Sequence, residues 1–462
     1  MRNYTANKAN NGCKMTGIKT MARKMDSRDV RDRNIALVLE QLVDGESHSR
    51  TYLSNVTGLT PATLTSLIRD LAEAGIIEQV GASQSGVEGP RRKAMFALGN
   101  HSFPVVVLEL RKSEVKLVCQ TLRGCTVLDE TYQADFRGKN IGDFARFVAL
   151  RICALLDVLA QQGIDSLPLV GISIPAPVYA DLRTIPAAID FGWDHADVVA
   201  LIEEQLPQAW YEHVRSRKAD AQGCDVAAGL AILRDLKIVL VNDGSAGLWA
   251  ERHYLQRSNG GISPEDSLNL LYFKTDLGVG GGVVLNNELY CGSKGMAGGL
   301  GHMPVANSGR HCLCGRTGCL ATVAAPEVMI DDGGLREFAS EHGDVAALKE
   351  LRRLAKLNIE PARSTYDRAR DGVKQVLAGA IALLVPDWVI FGGYVIHMMD
   401  ELFSEHDLAT MKVSGVRGML AGHYRDDAAM PGALLMMRQN LLSNAGRLMH
   451  GENLVLRVGS AV

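Results

Sequence analysis

GHMPVANSGRHCLCGRTGCL, residues 301–320, is the stretch whose reading decides the fold of this chain. It carries His302, Cys312, Cys314 and Cys319 in a His-x9-Cys-x-Cys-x4-Cys pattern. Three thiolates and one imidazole make the Cys3His tetrahedral set that structural zinc prefers, because four protein ligands close the coordination sphere and leave no position for water. Gly315 and Gly318 fall between the ligands, where glycine lets a tight loop curl until several sulfurs face one point. The competing reading, that cysteines clustered by accident as small apolar fillers, leaves those glycines unexplained. A zinc-pinned loop is expected, as scaffold.

Around this loop lie 462 residues, more than one core comfortably holds, so several domains are expected. A hydrophobic content of 47% with 22% charge is that of an ordinary globular protein. The longest apolar stretches, such as Gly379 to Gly393, are broken by Pro386 and Asp387 before they reach membrane length. The first residues are polar and basic without the apolar run of a secretory signal, which points to the cytoplasm, reduced cysteines and no membrane. The net charge of −3 speaks weakly against nucleic acid as a partner, but charge is unevenly placed. Residues 1–28 carry Arg2, Lys8, Lys14, Lys19, Arg23, Lys24 and Arg28 against Asp26 alone, and read as a basic, disordered tail.

Residues 29–100 form a compact unit. Ile35, Val38, Leu39 and Leu42 recur at helical spacing before Asp44-Gly45. A second short helix passes through Tyr52, Leu53 and Val56 to Gly58, and Leu59-Thr60-Pro61 opens a third. Thr60 suits an N-cap, Pro61 the first helical position, and Leu59 can staple onto Leu64. Leu64, Leu67, Ile68 and Leu71 face inward, which leaves Ala62, Thr63, Thr65, Ser66 and Arg69 outside. Small hydroxyls and an arginine suit a helix pressed into a major groove, since bulky side chains would hold the backbone away from the base edges. Ile76 to Val80 and Ala94 to Leu98 read as two strands joined by a glycine-rich return ending in Pro90-Arg91-Arg92-Lys93. The whole reads as a winged helix-turn-helix, with Thr60, Pro61, Ala62, Thr63, Thr65, Ser66 and Arg69 at DNA and Arg91, Arg92 and Lys93 on phosphates or in the minor groove. Its rival is a three-helix packing module with a solvated face.

From Phe103 the texture becomes α/β. Val105 to Leu110, Val115 to Cys119, Gly124 to Glu130, Leu169 to Ile174 and Lys237 to Val241 read as strands, and Ile141 to Gln162 as a long helix. A second block starts near Leu268, passes a glycine-rich turn at Gly278-Val279-Gly280-Gly281-Gly282, and returns to strand at Val283. Trp388 to Gly393 reads as a further buried strand. Two α/β lobes facing a cleft are implied, a first over residues 101–242 rejoined by a C-terminal helix at about 435–462, and a second over 243–434 that holds the 301–320 loop.

Taken together, Leu53 to Leu71, Val170 to Pro177, Val241-Asn242-Asp243, Gly278 to Gly282, Gly298-Gly299-Leu300-Gly301-His302, the cysteine cluster and Pro386 to Gly393 resemble the ROK family of repressors and sugar kinases, in particular its longer members with an N-terminal winged helix. The resemblance covers about residues 30 to 400. It implies an actin-like, sugar-kinase-like two-lobed body, a homodimer or tetramer, and a palindromic double-stranded operator near carbohydrate genes. It also places Asn242 and Asp243 where the family holds sugar hydroxyls, Asp190 near a sugar-binding position, and His302 where an imidazole that ligates zinc can also meet a ligand.

Departures from the family pattern shape the functional expectation. Where kinases of the family begin their body with Asp-x-Gly-Gly-Thr, this chain reads Glu109-Leu110-Arg111-Lys112-Ser113, so side chains occupy the space of a phosphate. The Gly-Glu-x-Gly-His motif reads Gly298-Gly299-Leu300-Gly301-His302, and Gly-Cys-Leu-Glu reads Gly318-Cys319-Leu320-Ala321. Two acidic sugar contacts are therefore missing, a loss of roughly two to four orders of magnitude in hexose affinity unless Asp190 or His195 compensates. The expectation is a transcriptional regulator, a repressor and not an enzyme, controlled by a sugar-like effector or a regulatory protein. A sugar kinase with an accessory DNA-binding domain and a constitutive DNA-binding scaffold are the alternatives.

Overall fold

The computed structural model describes residues 27–43, 46–83, 93–99, 103–217, 223–258, 267–305, 309–413 and 415–457. Asp44-Gly45, Arg91, Arg92 and residues 1–26 lie outside them, as does the side chain of Lys93. Helix α1 (Ser27–Glu40) begins inside the stretch expected as tail. It is followed by β1 (His48–Ser49), α2 (Arg50–Thr57) and α3 (Pro61–Glu73). Gly58 caps α2 with a left-handed φ of 69°, a conformation that costs glycine no Cβ clash. Thr60 caps α3, its hydroxyl accepting from the Thr63 N–H at 3.2 Å, and Pro61 fills the first helical position. Strands β2 (Ile77–Ser83) and β3 (Lys93–Leu98) pair antiparallel, and β1 adds to the other edge of β3. Leu53, Leu64, Leu67, Ile68, Leu71 and Phe96 are buried among the three helices and this small sheet.

The body repeats one topology twice. In the first lobe β4 (Val105–Leu110), β5 (Glu114–Gln120) and β6 (Thr126–Gln133) form an antiparallel meander, and β7 (Leu169–Ile174) and β10 (Lys237–Asn242) add in parallel on the other side of β4. Between them run α4 (Ile141–Gln161), the ribbon β8 (Thr184–Ala188) and β9 (Trp193–Asp197), α5 (Val198–Ser216) and α6 (Val226–Asp235). After α7 (Asp243–Arg257) the pattern recurs. Strands β11 (Leu270–Thr275), β12 (Val279–Leu285) and β13 (Glu288–Leu289) make the meander, and β14 (Trp388–Gly393) and β15 (Gly418–Ala421) join in parallel. Short helices α8 (Ala321–Ala324), α9 (Pro326–Asp332), α10 (Arg336–His342) and α11 (Asp344–Lys356) precede the long α12 (Ala362–Leu384). The turns α13 (Met399–Leu402) and α14 (Glu405–Val413) lead to α15 (Ala429–Ser443) and α16 (Ala445–Met449).

The glycine run expected as a turn proves to be strand. Gly280, Gly281 and Gly282 lie in β12, and the turn sits at Asp276–Gly278, where the Asp276 N–H donates to the Gly278 carbonyl at 3.0 Å. The reason is close approach. A Cβ on Gly281 would meet the Tyr272 carbonyl oxygen at 2.0 Å, and one on Gly244, in the first turn of α7, would meet the Gly281 carbonyl oxygen at 2.5 Å. The glycines let a helix N-terminus settle on the sheet. The C-terminal return also begins earlier than residue 435, at Ala429.

Each lobe hands a helix to the other. α7 leaves the first sheet and packs on β11 and β12, while α15 leaves the second sheet and packs on β4 and β7. The two cross where a Cβ on Gly432 would meet the Ala246 carbonyl oxygen at 1.7 Å. α1 rests on α15 and α16, so one hydrophobic cluster runs from Ile35, Leu39 and Leu42 to Met436, Leu441 and Ala445. Beyond α16 the chain turns back along α15. Asn440 and Asn444, both buried, each exchange two hydrogen bonds of 2.7–2.9 Å with the backbone of Arg457 and Val455, holding an extended segment by its main chain. In α7, burial and the nearby Arg257, Arg252 and Arg438 depress the His253 imidazole from 6.5 to about 4. The unfolded chain therefore binds this proton first. Stability from His253 is full above pH 6.5 and falls as pH drops toward 4, by at most about 3 kcal/mol. Urea titrations of wild type and His253→Phe should diverge across that window, and parallel pH curves would contradict it.

Candidate ligand cleft and metal loop

The two lobes face each other across a cleft of about 380 Å³, a size usual for small-molecule sites. Asn242, Asp243, Asp190 and His302 all line it, brought together from three separate parts of the chain. Asn242 is the N-cap of α7. Its amide oxygen accepts from the Ser245 N–H at 2.9 Å, and its amide nitrogen donates to the Ala176 carbonyl at 3.0 Å and to Asp243 at 3.2 Å. Asp243 takes the Gly244 N–H at 2.7 Å on one oxygen. Its other oxygen meets Lys274 Nζ at 2.6 Å. Burial opposes the charge of Lys274, yet Asp243 and Asp276 together hold its ammonium above the usual lysine range. Sequence reading missed Lys274. Its signal was a single cation inside the otherwise apolar strand Leu270-Leu271-Tyr272-Phe273.

At the β4–β5 turn, Glu109 is buried, and burial raises its carboxyl against the pull of Arg111. Arg111 contacts Glu109 at 3.0 Å, Glu114 at 3.4 Å and Asp427 at 2.8 Å. Lys112 reaches across to Glu327 at 2.7 Å and Asp344 at 2.5 Å, and Arg137 meets Glu327 at 3.0 Å. These cations, contributed by the first lobe, bind carboxylates of the second. Gly299 and Ala321 border the cleft on the side of His302, and nothing lies within 4 Å of where a Cβ on Gly299 would stand. Asp190 lines the cleft and is exposed. Desolvation, then repulsion from Glu327 and Asp243, raise its carboxyl.

The 301–320 loop brings one imidazole nitrogen and three sulfurs together, all within 4.8 Å of one another. Cys314 Sγ and Cys319 Sγ are 3.6 Å apart, and Cys312 Sγ lies 3.7 Å from His302 Nδ1. A tetrahedral centre with metal–sulfur bonds of about 2.3 Å needs edges of roughly 3.8 Å. The donor set could hold a metal ion, with the longest separations closing by about an ångström. Burial, with the charge of Arg316, depresses the His302 imidazole, favouring the neutral form that ligates. Leu313, between two ligands, is 82% exposed, and Cys319 is buried.

In α3, Thr60, Pro61, Ala62, Thr65 and Arg69 are exposed, and Thr63 and Ser66 half-buried, on the side away from the core. Thr65 donates to the Pro61 carbonyl at 2.7 Å, which keeps its hydroxyl low against the helix. Arg69 is 66% exposed and rests 3.2 Å from Asp70. Asp70 also pairs with Arg31 of α1, so the base of α3 is tied down while the Arg69 guanidinium stays accessible.

Residues 211–440 match the model of the ROK family. An N-acetylmannosamine kinase of Yersinia pestis is 31% identical over 212 residues, which cover 45% of this chain and 68% of that protein. The chain belongs to the ROK family. A xylose repressor of Bacillus subtilis is 22% identical to this ROK chain over 333 residues, 72% of the chain and 76% of the repressor. The crystal structure of a ROK family transcriptional regulator, described as a homologue of the E. coli MLC protein, superimposes with a TM-score of 0.65 at 18% identity. It covers 92% of this chain and 99% of that one. This ROK chain thus shares its fold with that regulator through nearly its whole length. Among the described residues no helix is long and apolar enough to cross a membrane.

Proposed function

We propose that this ROK protein is a DNA-binding transcriptional repressor of carbohydrate-related genes, working as a dimer on a palindromic operator. The observation that carries the proposal is the N-terminal unit: three helices and a hairpin whose third helix turns Ala62, Thr63, Thr65, Ser66 and Arg69 away from the core. That arrangement supports reading the unit as a winged helix-turn-helix, in which phosphate contacts position the recognition helix and base edges specify its site. The likeness to the xylose repressor and to the MLC-like regulator supports it. Arg91, Arg92 and Lys93 belong to the return of the wing and are assigned to phosphates by sequence alone. The His302 cluster is assigned to structural zinc, on the softness of three thiolates and the closed four-ligand set.

The cleft is then an effector site and not a phosphotransfer site. In kinases of the family an aspartate at the Asp243 position takes a proton from the sugar hydroxyl. Here Lys274 occupies that carboxylate, and Arg111 and Lys112 stand where the resemblance puts a phosphate-binding turn. A ligand that changes the lobe angle would change the spacing of two recognition helices, which an operator of fixed half-site separation detects. Control by a regulatory protein would act on the same angle. Salt-titrated gel shifts with the chain's own promoter region are the test. Arg69→Ala should weaken retention by about 1–3 kcal/mol, on the order of tenfold to a hundredfold. Unchanged retention would move the DNA contact to another surface. A coupled ADP-release assay with hexoses, pentoses and amino sugars should stay at background, and turnover at an enzyme-like rate would favour the kinase reading.

A further inference from the structure

The carboxylates around the cleft are unequally satisfied. Glu327 is held by Lys112 and Arg137, and Asp243 by Lys274. Arg310, which also borders the cleft, is engaged by Asp332 at 2.8 Å. Asp190 alone of the three cleft carboxylates makes no hydrogen bond or ion pair among the described residues, and its carboxylate lies against Gly278. Arg137 draws on it only at a distance. A carboxylate without a partner that shares a cleft with two others is best satisfied by an incoming positive charge.

Much of the remaining wall is apolar. Pro175, Pro177, Ile189, Met296 and Val328 present hydrocarbon to the cavity. The two positions where the family resemblance puts acidic hydroxyl acceptors hold Gly299 and Ala321, and the room beside Gly299 is open. A ring of neutral hydroxyls would find two fewer acidic acceptors here than the family pattern provides, at a cost for each lost bond. A body of hydrocarbon or aryl carbon would instead fill that room, and Met296 can adapt to its shape. An ammonium supplies three donors and the charge that Asp190 lacks.

Resting on the reading of this cleft as an effector site, we infer that it takes an organic ammonium compound, a primary amine carried on a hydrocarbon or aryl body, with Asp190 as its counter-ion. Isothermal titration of the full-length, metal-loaded protein with benzylammonium, its neutral isostere benzyl alcohol, xylose and glucose tests this. Benzylammonium should bind at least tenfold more tightly than benzyl alcohol, and Asp190→Asn should erase that preference. Asp190 is exposed, unpartnered and in a short turn, so an unchanged melting temperature verifies that the variant is folded. Equal binding of amine and alcohol, aldose binding that survives Asp190→Asn, or silence from all four compounds overturns the ligand class. Loss of operator retention by the wild type would instead sink the repressor reading beneath it, so the two failures are separable.

Discussion

Cys319→Ser should lower the melting temperature of the full-length protein by about 10 °C or more and release its metal, whereas Cys125→Ser should change neither. Cys125 is exposed and far from the cluster in sequence, while Cys319 is buried. The size of the effect follows from what the loop holds. The backbone N–H of Val305 donates to Gly318 at 2.8 Å and that of Leu320 to Met303 at 2.9 Å, so the two ends of the loop are stitched together. Leu300, Val305 and Leu320 enter the core of the second lobe with Phe273 and Val373. Releasing the metal would therefore loosen a wall of the core and let His302 leave the cleft. Differential scanning calorimetry with elemental analysis reads both outcomes. A Cys319→Ser protein that melts with the wild type and keeps one equivalent of metal would remove the cluster from the scaffold.

The largest effect expected of any single substitution is at Gly432. Gly432→Val would place a branched side chain where a Cβ alone comes within 1.7 Å of the Ala246 carbonyl oxygen and 2.4 Å of its carbon. Helix backbone cannot yield as a side chain tip can, so α7 and α15 must separate. We expect a loss of more than about 4 kcal/mol, enough to leave the protein insoluble or to halve its cooperativity of unfolding. Gly171, on β7, faces only the flexible Met437 side chain at 2.7 Å, and Gly171→Ala serves as a milder control. Wild-type melting of Gly432→Val would mean that the two helices do not form the pivot of the lobes.

Much of this architecture was legible in the sequence, and for identifiable reasons. The caps of α3, the apolar spacing of Leu64, Leu67, Ile68 and Leu71, and the continuous apolar strands are local signals that tertiary structure had no cause to override. The gathering of His302, Cys312, Cys314 and Cys319 was legible because their spacing constrains them to one loop. What escaped depended on contacts between distant parts of the chain. Gly280 to Gly282 look like a turn until α7 is placed on them, and Lys274 looks like an ordinary strand residue until Asp243 arrives from another element. Likewise Arg111 and Lys112 were read as obstacles to phosphate, but not as partners of Asp427, Glu327 and Asp344, which lie hundreds of residues away in sequence. The asparagines that clasp the chain end, Asn440 and Asn444, carry no periodic signal at all.

Because α1 shares its apolar seat with α15 and α16, and a Cβ on Gly446 would strike Asp32, the head and trunk of the molecule have no slack between them. A tether would absorb a few degrees of rotation at the cleft; a common keel delivers it. Were the lobes to tilt about the α7–α15 crossing, the tip of α3 would sweep an arc proportional to its distance from it, and a small tilt would be amplified at the far end as by an oar. On the proposed reading of a dimer at a palindromic operator, such leverage would let a modest difference in ligand affinity between two postures decide whether both heads reach their half-sites together.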